Sequence, residues 1–466
     1  MDRALNGQPG PDDRAAPSTD EVAGPRPVVP DQARGPAAGP VRRPPYGRNP
    51  LLAAHGVRAR AEIIEAAREL FTKYGYQATT VESIGEATNR SGAAVYQYFS
   101  GKFEIFAMFL RELGDELLRL ALQFPRLSDD EAGRARLRDW IAQLIEVVEY
   151  HSGTFLGWSQ VQYGEPELGI LGQANFQKYQ AGVLGGLARS GVHPPTPEVV
   201  PVGLLSVVQW STLVNARRPD PVDRTALAAA LARMLNAFLF SPSPSAASPD
   251  DEDDPVAVDR LPVIPLGDVL GLRRPVTSRG VGTVQRIMLA AADRFRVNGY
   301  RGTSLNDVAA RAGVSHGSVY TYWSDREGLF GTLAQDVLVA IERQQRLLPS
   351  RPPSGESIDA WVEGWASMIE THGSVLYVWQ HEVDAPALGP LADRRDQVLD
   401  GIVDRLLALA ADPPDGGEPM SVALRAVLTD VPYVLSTQLA ILPRAAASGF
   451  VAALLRAGLG VGPPPS

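Results

Sequence analysis

Between Thr303 and Phe330 the chain reads TSLNDVAARAGVSHGSVYTYWSDREGLF. Five side chains that make hydrogen bonds, His316, Ser318, Tyr320, Thr321 and Tyr322, crowd into seven positions there. Their spacing suits binding better than catalysis. Elsewhere His381-Glu382 lacks the second histidine of a zinc-protease motif, no glycine loop cradles a phosphate, and no serine or cysteine nucleophile is arranged with a base. The chain is therefore read as a non-enzyme, with no catalytic residue, no cofactor and no metal.

The elements that would hold those five side chains follow from local rules. Ser304 caps a short helix, with Asp307 three residues on to complete the cap. Leu305, Val308 and Ala309 recur at helical spacing as its buried face. Gly313 falls where the chain must turn sharply into a left-handed conformation. Ser315 caps the next helix, whose thin apolar edge is Val319 and Trp323. The remaining outer edge is polar and aromatic, as on the recognition helix of a helix-turn-helix.

On these residues the sequence resembles the TetR family of transcriptional regulators. The signature runs from Gly299-Tyr300 through Thr303, Val308, Ala312-Gly313-Val314-Ser315, Gly317, Val319-Tyr320, Tyr322-Trp323 and Arg326 to Phe330. The pattern also occurs twice. Shifted back by 224, residues 71–106 align without a gap, and ten of the 36 positions are identical: Phe71, Gly75, Tyr76, Thr79, Ser91, Val95, Tyr96, Tyr98, Ser100 and Phe106. Background usage would give roughly two. The first copy departs at its turn, where Thr88-Asn89-Arg90 replaces Ala312-Gly313-Val314 and Ala93 replaces Gly317. Asn89 tolerates a left-handed conformation, but Arg90 stands where the second copy buries Val314, so a looser or repurposed first turn is expected.

Length and charge fit that reading. A chain of 466 residues, 45% hydrophobic and 21% charged, has room for two to four domains with substantial cores. It has no cysteine, hence no disulfide or thiolate metal site. No signal pattern opens it, and the apolar helices near 225–240 and 445–461 are interrupted by Arg233 and Arg456, so a cytoplasmic protein away from membranes is expected. The net charge of −9 is unevenly spread. From Arg273 to Phe330 there are nine arginines against four acids, a local +5 suited to phosphate, whereas Val57 to Leu110 is neutral with six of each sign.

Taken in order, the expected organisation is all-α: two TetR-like units, each a three-helix helix-turn-helix domain followed by a helical effector and dimerisation domain. The boundaries read as a disordered Pro/Arg-rich arm at 1–56, a first helix-turn-helix at 57–103, a first helical domain at 104–240, an acidic Pro/Ser linker at 241–282, a second helix-turn-helix at 283–327 and a second helical domain at 328–460. The arm carries six arginines and no acid from Arg34 to Arg60, and the second copy is preceded by Arg273, Arg274 and Arg279. Such arms can lie along phosphates or enter a minor groove.

The resemblance implies a partner, a double-stranded DNA operator, and a role for each matching position. Tyr320, Tyr322 and Arg326, and their counterparts Tyr96, Tyr98 and Lys102, would meet phosphates, with Thr303 and Thr79 where the preceding helix meets the backbone. Base edges would fall to His316, Gly317, Ser318 and Thr321 in one copy and to Gly92, Ala93, Ala94 and Gln97 in the other, a difference that predicts an asymmetric operator. A small-molecule effector would release the DNA. Its pocket is sought among Trp140, His151, Phe155, Trp158, Phe176 and Tyr179, and among Trp361, Trp365, His372, Tyr377, Trp379 and His381. The assembly expected is a repressor in which one chain supplies both halves as a pseudo-dimer; a homodimer of such chains is the other arrangement. The rival function is an effector-binding or protein-interaction module in which only the second helix-turn-helix, or neither, is competent for DNA.

Overall fold

The computed structural model describes residues 50–162, 164–192, 199–241, 280–349, 354–410, 417–438 and 442–462, and every regular element among them is a helix. The arginines read at 34, 42, 43 and 48, those at 273, 274 and 279, and the acidic run Asp250 to Asp254 lie outside the described residues. Helix α1 (Pro50–Ala78) begins inside the stretch expected to be an unstructured arm, so Arg58 and Arg60 stand on a helix, and Arg58 pairs with Glu62 one turn later.

Helix α1 breaks at Gly75, which sits at φ 77°. A β-carbon would be strained at that angle, so the glycine is required there. Helix α2 (Val81–Ala87) opens with a reciprocal cap between Thr80 and Ser83, and α3 (Gly92–Val95) is capped by Ser91. These three form the first head. Behind it come α4 (Lys102–Leu122), α5 (Glu131–Tyr150), α6 (Ser152–Val161), α7 (Pro166–Arg189), α8 (Val200–Ala216) and α9 (Arg224–Phe240).

The second half repeats this order. Helix α10 (Val281–Gly302) breaks at Gly299 with φ 70°, and α11 (Leu305–Ala312) and α12 (His316–Tyr322) complete the second head. Then follow α13 (Arg326–Arg346), α14 (Gly355–His381), a 3-10 turn (Pro386–Leu388), α15 (Gly389–Leu409), α16 (Gly417–Tyr433), a π-helical turn (Val434–Gln438) and α17 (Arg444–Leu459). One difference stands out: α14 is continuous where the first half breaks into α5 and α6 at His151.

The halves are joined by helices too apolar to face water. Nearly every residue of α8 is buried, and a helix that is hydrophobic all round needs cover on every side. Helix α8 lies on α16, while α9 lies on α16 and α17. Gly203 of α8 lets Phe450 of α17 come so close that a β-carbon would collide with its ring, and Phe238 meets the same ring edge to face at 5.1 Å. One continuous core thus runs from α4 of the first half through to α17. The first head has a smaller core of its own, built on Ile63, Phe71, Ile84, Val95 and Phe106.

Candidate nucleic-acid interface and cavity

The second head presents the edge expected of it. The Ser304 hydroxyl accepts from the Asp307 N–H (3.2 Å) while the Asp307 carboxylate accepts from the Ser304 N–H (3.0 Å). Gly313 takes φ 64°, and the Ser315 hydroxyl accepts from the Ser318 N–H at 3.2 Å. Val319 and Trp323 are fully buried, the indole N–H donating to the Thr332 hydroxyl at 2.8 Å. With those two inside, His316, Gly317, Tyr320 and Thr321 are exposed and Ser318 and Tyr322 half-buried. The His316 ring rests on Tyr320, centroids 4.5 Å apart.

The first head keeps this plan on a shorter helix. Asn89 supplies the left-handed turn at φ 54°. Arg90 does not pack on the core as the half-buried Val314 does; its guanidinium donates to the Thr88 carbonyl (2.9 Å) and pairs with Glu62 of α1 (2.7 Å). Helix α3 spans four residues against seven in α12, and Tyr96 to Tyr98 continue as a turn. Tyr96, Gln97 and Ala93 are exposed, Gly92, Ala94 and Tyr98 half-buried, and Val95 and Phe99 face inward.

Four of the expected phosphate contacts point elsewhere. Thr79 and Thr303 are 1% and 2% exposed, and their hydroxyls donate to the carbonyls of Gly75 and Gly299, each at 2.8 Å. The Lys102 ammonium donates to the carbonyls of Tyr76 (2.8 Å), Thr79 (3.0 Å) and Gln77 (3.3 Å) and lies over the Tyr76 ring. Arg326 donates to the carbonyls of Arg301 (2.9 Å) and Thr303 (3.3 Å) and lies over Tyr300. These carbonyls lie at the end of the kinked helix, where helical partners run out, and the cation that opens the helix behind each head gathers them. Burial lowers the Lys102 pKa as a consequence.

The basic patch of the second head is also partly spoken for. Asp293 binds Arg294 (2.8 Å), Arg296 (3.0 Å) and Arg311 (2.8 Å) at once. Burial alone would raise its pKa, but the hydrogen bonds from Arg294, Arg311 and Arg296 outweigh that and hold it at about 2. Counting charge along the sequence could not show that one carboxylate engages three of the nine arginines.

A cavity of about 580 Å³ opens in the first half, among α4, α6, α7 and α8, with Val434 reaching in from the second half. Phe155, Trp158 and Phe176 line it, together with Leu110, Leu113 and Leu117 of α4 and with Gln162, Ile170, Gln209 and Trp210, none of which was among the pocket candidates. None of its lining residues is charged. Two buried donors on that lining, Gln162 Nε2 and Trp210 Nε1, have no partner in the protein.

The other expected pocket residues serve the core or a different cleft. Trp140 donates to the Leu120 carbonyl (2.9 Å), Trp361 to that of Gln344 (3.0 Å) and Trp365 to that of Leu428 (2.7 Å). His151, Tyr179, His372 and Trp379 are buried away from the cavity. Tyr377 and His381 line a smaller polar cleft of about 270 Å³ between the heads. His381 Nε2 lies 2.6 Å from Asp430, which also accepts from the Thr429 hydroxyl, and burial lowers the His381 pKa.

The second half carries a larger side chain at the position matching Gly114 on the cavity wall. Helices α4 and α13 align without a gap, and Gly114 of the first corresponds to Leu338 of the second, which is buried.

Comparison with known proteins follows the same two-fold pattern. The model of "Bacterial regulatory proteins, tetR family" matches residues 63–108 and 287–333, that is, each head with the start of its following helix. The chain is 25% identical over 167 residues to the HTH-type transcriptional activator FasR of Mycolicibacterium smegmatis, a match covering 35% of this chain and 75% of that protein. It is 39% identical over 96 residues to the HTH-type transcriptional repressor AcnR of Corynebacterium efficiens, covering 20% of this chain and 50% of that one. The chain therefore spans about half the length of that repressor. Among solved structures it matches a tetR-family transcriptional regulator from Streptomyces coelicolor at 23% identity, covering 39% of this chain and 80% of that one with a TM-score of 0.29. The two family matches start 224 residues apart, in register with the two heads, and the chain is accordingly a TetR-family DNA-binding transcriptional regulator in which the family's unit is duplicated.

Proposed function

We propose that the chain is a cytoplasmic repressor that grips one operator with both heads and releases it when a small molecule fills the first-half cavity. Helix α6 carries the proposal. One of its faces lines the cavity with Phe155, Trp158 and Gln162. The other lies against the first head: a β-carbon on Gly153 would come within 2.6 Å of the Thr72 backbone, and one on Gly157 within 2.8 Å of the Phe106 ring. A ligand that fits better with α6 displaced shifts the population away from the head separation that DNA needs.

The uncharged lining and the two partnerless donors favour a largely apolar, neutral effector with an oxygen that accepts from Gln162 and Trp210. With Leu338 at the counterpart of Gly114, the same effector is expected to bind once per chain. Different outer edges on α3 and α12 give the two half-sites different sequences. Repression is favoured over activation by the higher identity to AcnR.

The short α3 supports a second reading, in which the second head supplies most of the DNA affinity. Selecting bound fragments from a random DNA pool gives the operator, and a mobility-shift titration of two variants then separates the readings. Tyr320→Ala and Tyr96→Ala should each weaken binding by about tenfold, the loss of one charge-assisted hydrogen bond. Loss with Tyr320→Ala alone favours the second reading. No loss with either removes DNA recognition by these helices.

A further inference from the structure

The two heads touch where their first helices kink, and a chain of hydrogen bonds crosses that junction. On one side the Gln77 N–H donates to Gln160 Oε1 at 3.1 Å. On the other the Tyr300 N–H donates to Glu382 Oε2 at 2.8 Å. Gln160 and Glu382 line the same cleft between the heads, and with Gln160 Oε1 taken up by Gln77 the amide nitrogen is left to serve the Glu382 carboxylate, which joins the two links. Arg301 of the second head also lies over the Tyr74 ring of the first, 5.3 Å from its centroid.

Both links use the same device. Gln160 occupies the space that a β-carbon on Gly75 would take, at 2.8 Å, and Glu382 collides with the corresponding position on Gly299. The two glycines have matching backbone angles, φ 77°, ψ 173° and φ 70°, ψ 174°. The side chains pressed into them differ, however. An amide stands on one half and a carboxylate on the other, which makes a donor and an acceptor. Symmetric subunits would set like against like here, and two facing carboxylates would repel. Glu382 has no cation within ion-pair distance among the described residues; backbone and amide N–H groups hold it.

We propose that Gln160 and Glu382 form a clamp that fixes the separation of the two heads, and so sets the spacing between half-sites that the protein accepts. They are positioning residues, since neither lies on a DNA-facing edge. The clamp rests on the two-headed reading above, and its value is mechanical. One added base pair moves a half-site by about 3.4 Å and turns it around the helix axis. Clamped heads cannot follow that change, whereas freed heads can.

The test has two arms. The chain has no cysteine, so Glu82→Cys with Asn306→Cys places one spin label on the exposed surface of each head. Without any DNA, pulsed electron-electron resonance should give one narrow distance in the parent and a broadened distribution in Gln160→Ala or Glu382→Ala, with Glu382→Gln intermediate. In the second arm the selected operator is compared with versions lengthened or shortened by one base pair. The parent should prefer its own spacing by about tenfold or more, and the alanine variants by less than about threefold. Unchanged distances and unchanged spacing preference in both alanine variants would overturn the clamp. If Glu382→Ala does not fold, Gln160→Ala decides alone. Failure to select any two-part operator would count against the two-headed reading, and the distance arm would still decide the clamp.

Discussion

Asn89 holds the first head's turn at φ 54°, a conformation that costs an ordinary L-residue about 1–2 kcal/mol and glycine almost nothing. Asn89→Gly should therefore leave the first head as stable or slightly more so, and Asn89→Val should weaken it by about 1–2 kcal/mol, read by hydrogen exchange across residues 81–99. Arg326 provides a second test at this scale. Its guanidinium is bound to the carbonyls of Arg301 and Thr303. Arg326→Ala should loosen the second head yet leave the slope of log affinity against log salt unchanged. A phosphate contact at Arg326 would instead lower that slope by about 0.9. His151 bears on pH. Burial brings its pKa down to about 4 from an ordinary 6.5, and Nδ1 has no partner. Between those values the unfolded chain binds a proton that the folded chain does not. This contribution to stability is complete above pH 6.5 and is lost as pH falls toward 4. His151→Gln should flatten the fall in melting temperature over that range. His372 has its pKa lowered to about 4 in the same way, but its neighbour Asp336 is raised by burial to about 6 and acts with the opposite sign, so His151 is the cleaner probe.

At the scale of elements, the caps and turn of the second head were legible because each depends on residues three or four apart, as Ser304 with Asp307 and Ser315 with Ser318 show. Arg90 was flagged as a misfit from the sequence, but its solution was not visible, since Glu62 lies 28 residues upstream on another helix. The aromatic candidates divide between core and cavity for a different reason. Helical spacing marks a side chain as buried without saying whether it meets other side chains, as Trp140 and Trp365 do, or empty space, as Trp158 does. Trp210 was missed because α8 is apolar on all sides and no stripe marks its cavity face. The substitution Gly114→Leu copies Leu338 of the second half. It should fill the cavity and leave a protein that binds operator but no longer releases it on adding effector. A β-carbon at Gly114 meets the Asn175 side chain, so an overpacking cost of about 1–3 kcal/mol should accompany the change. Retained release in that variant would place the effector elsewhere.

For the whole molecule, duplication explains features that neither half explains alone. The linking helices α8, α9, α16 and α17 bury almost all their apolar residues, against α5 and α14 of their own halves and against each other, so the two halves of one chain share a single core. Freed from identity, the halves have diverged. One has a cavity beside Gly114, and the other has Leu338 at that position and the longer recognition helix α12. The repeat itself could be read from the sequence, because the 224-residue offset holds without a gap through both heads. The pairing of Gln160 with Glu382 could not, since their offset has slipped by two residues and they meet only through the fold. Native mass spectrometry of the protein on its selected operator tests the central claim of an intramolecular pair most directly. One chain of 50.0 kDa per duplex carrying two half-sites is the expected result; two chains on that duplex, with none bound singly, would contradict it.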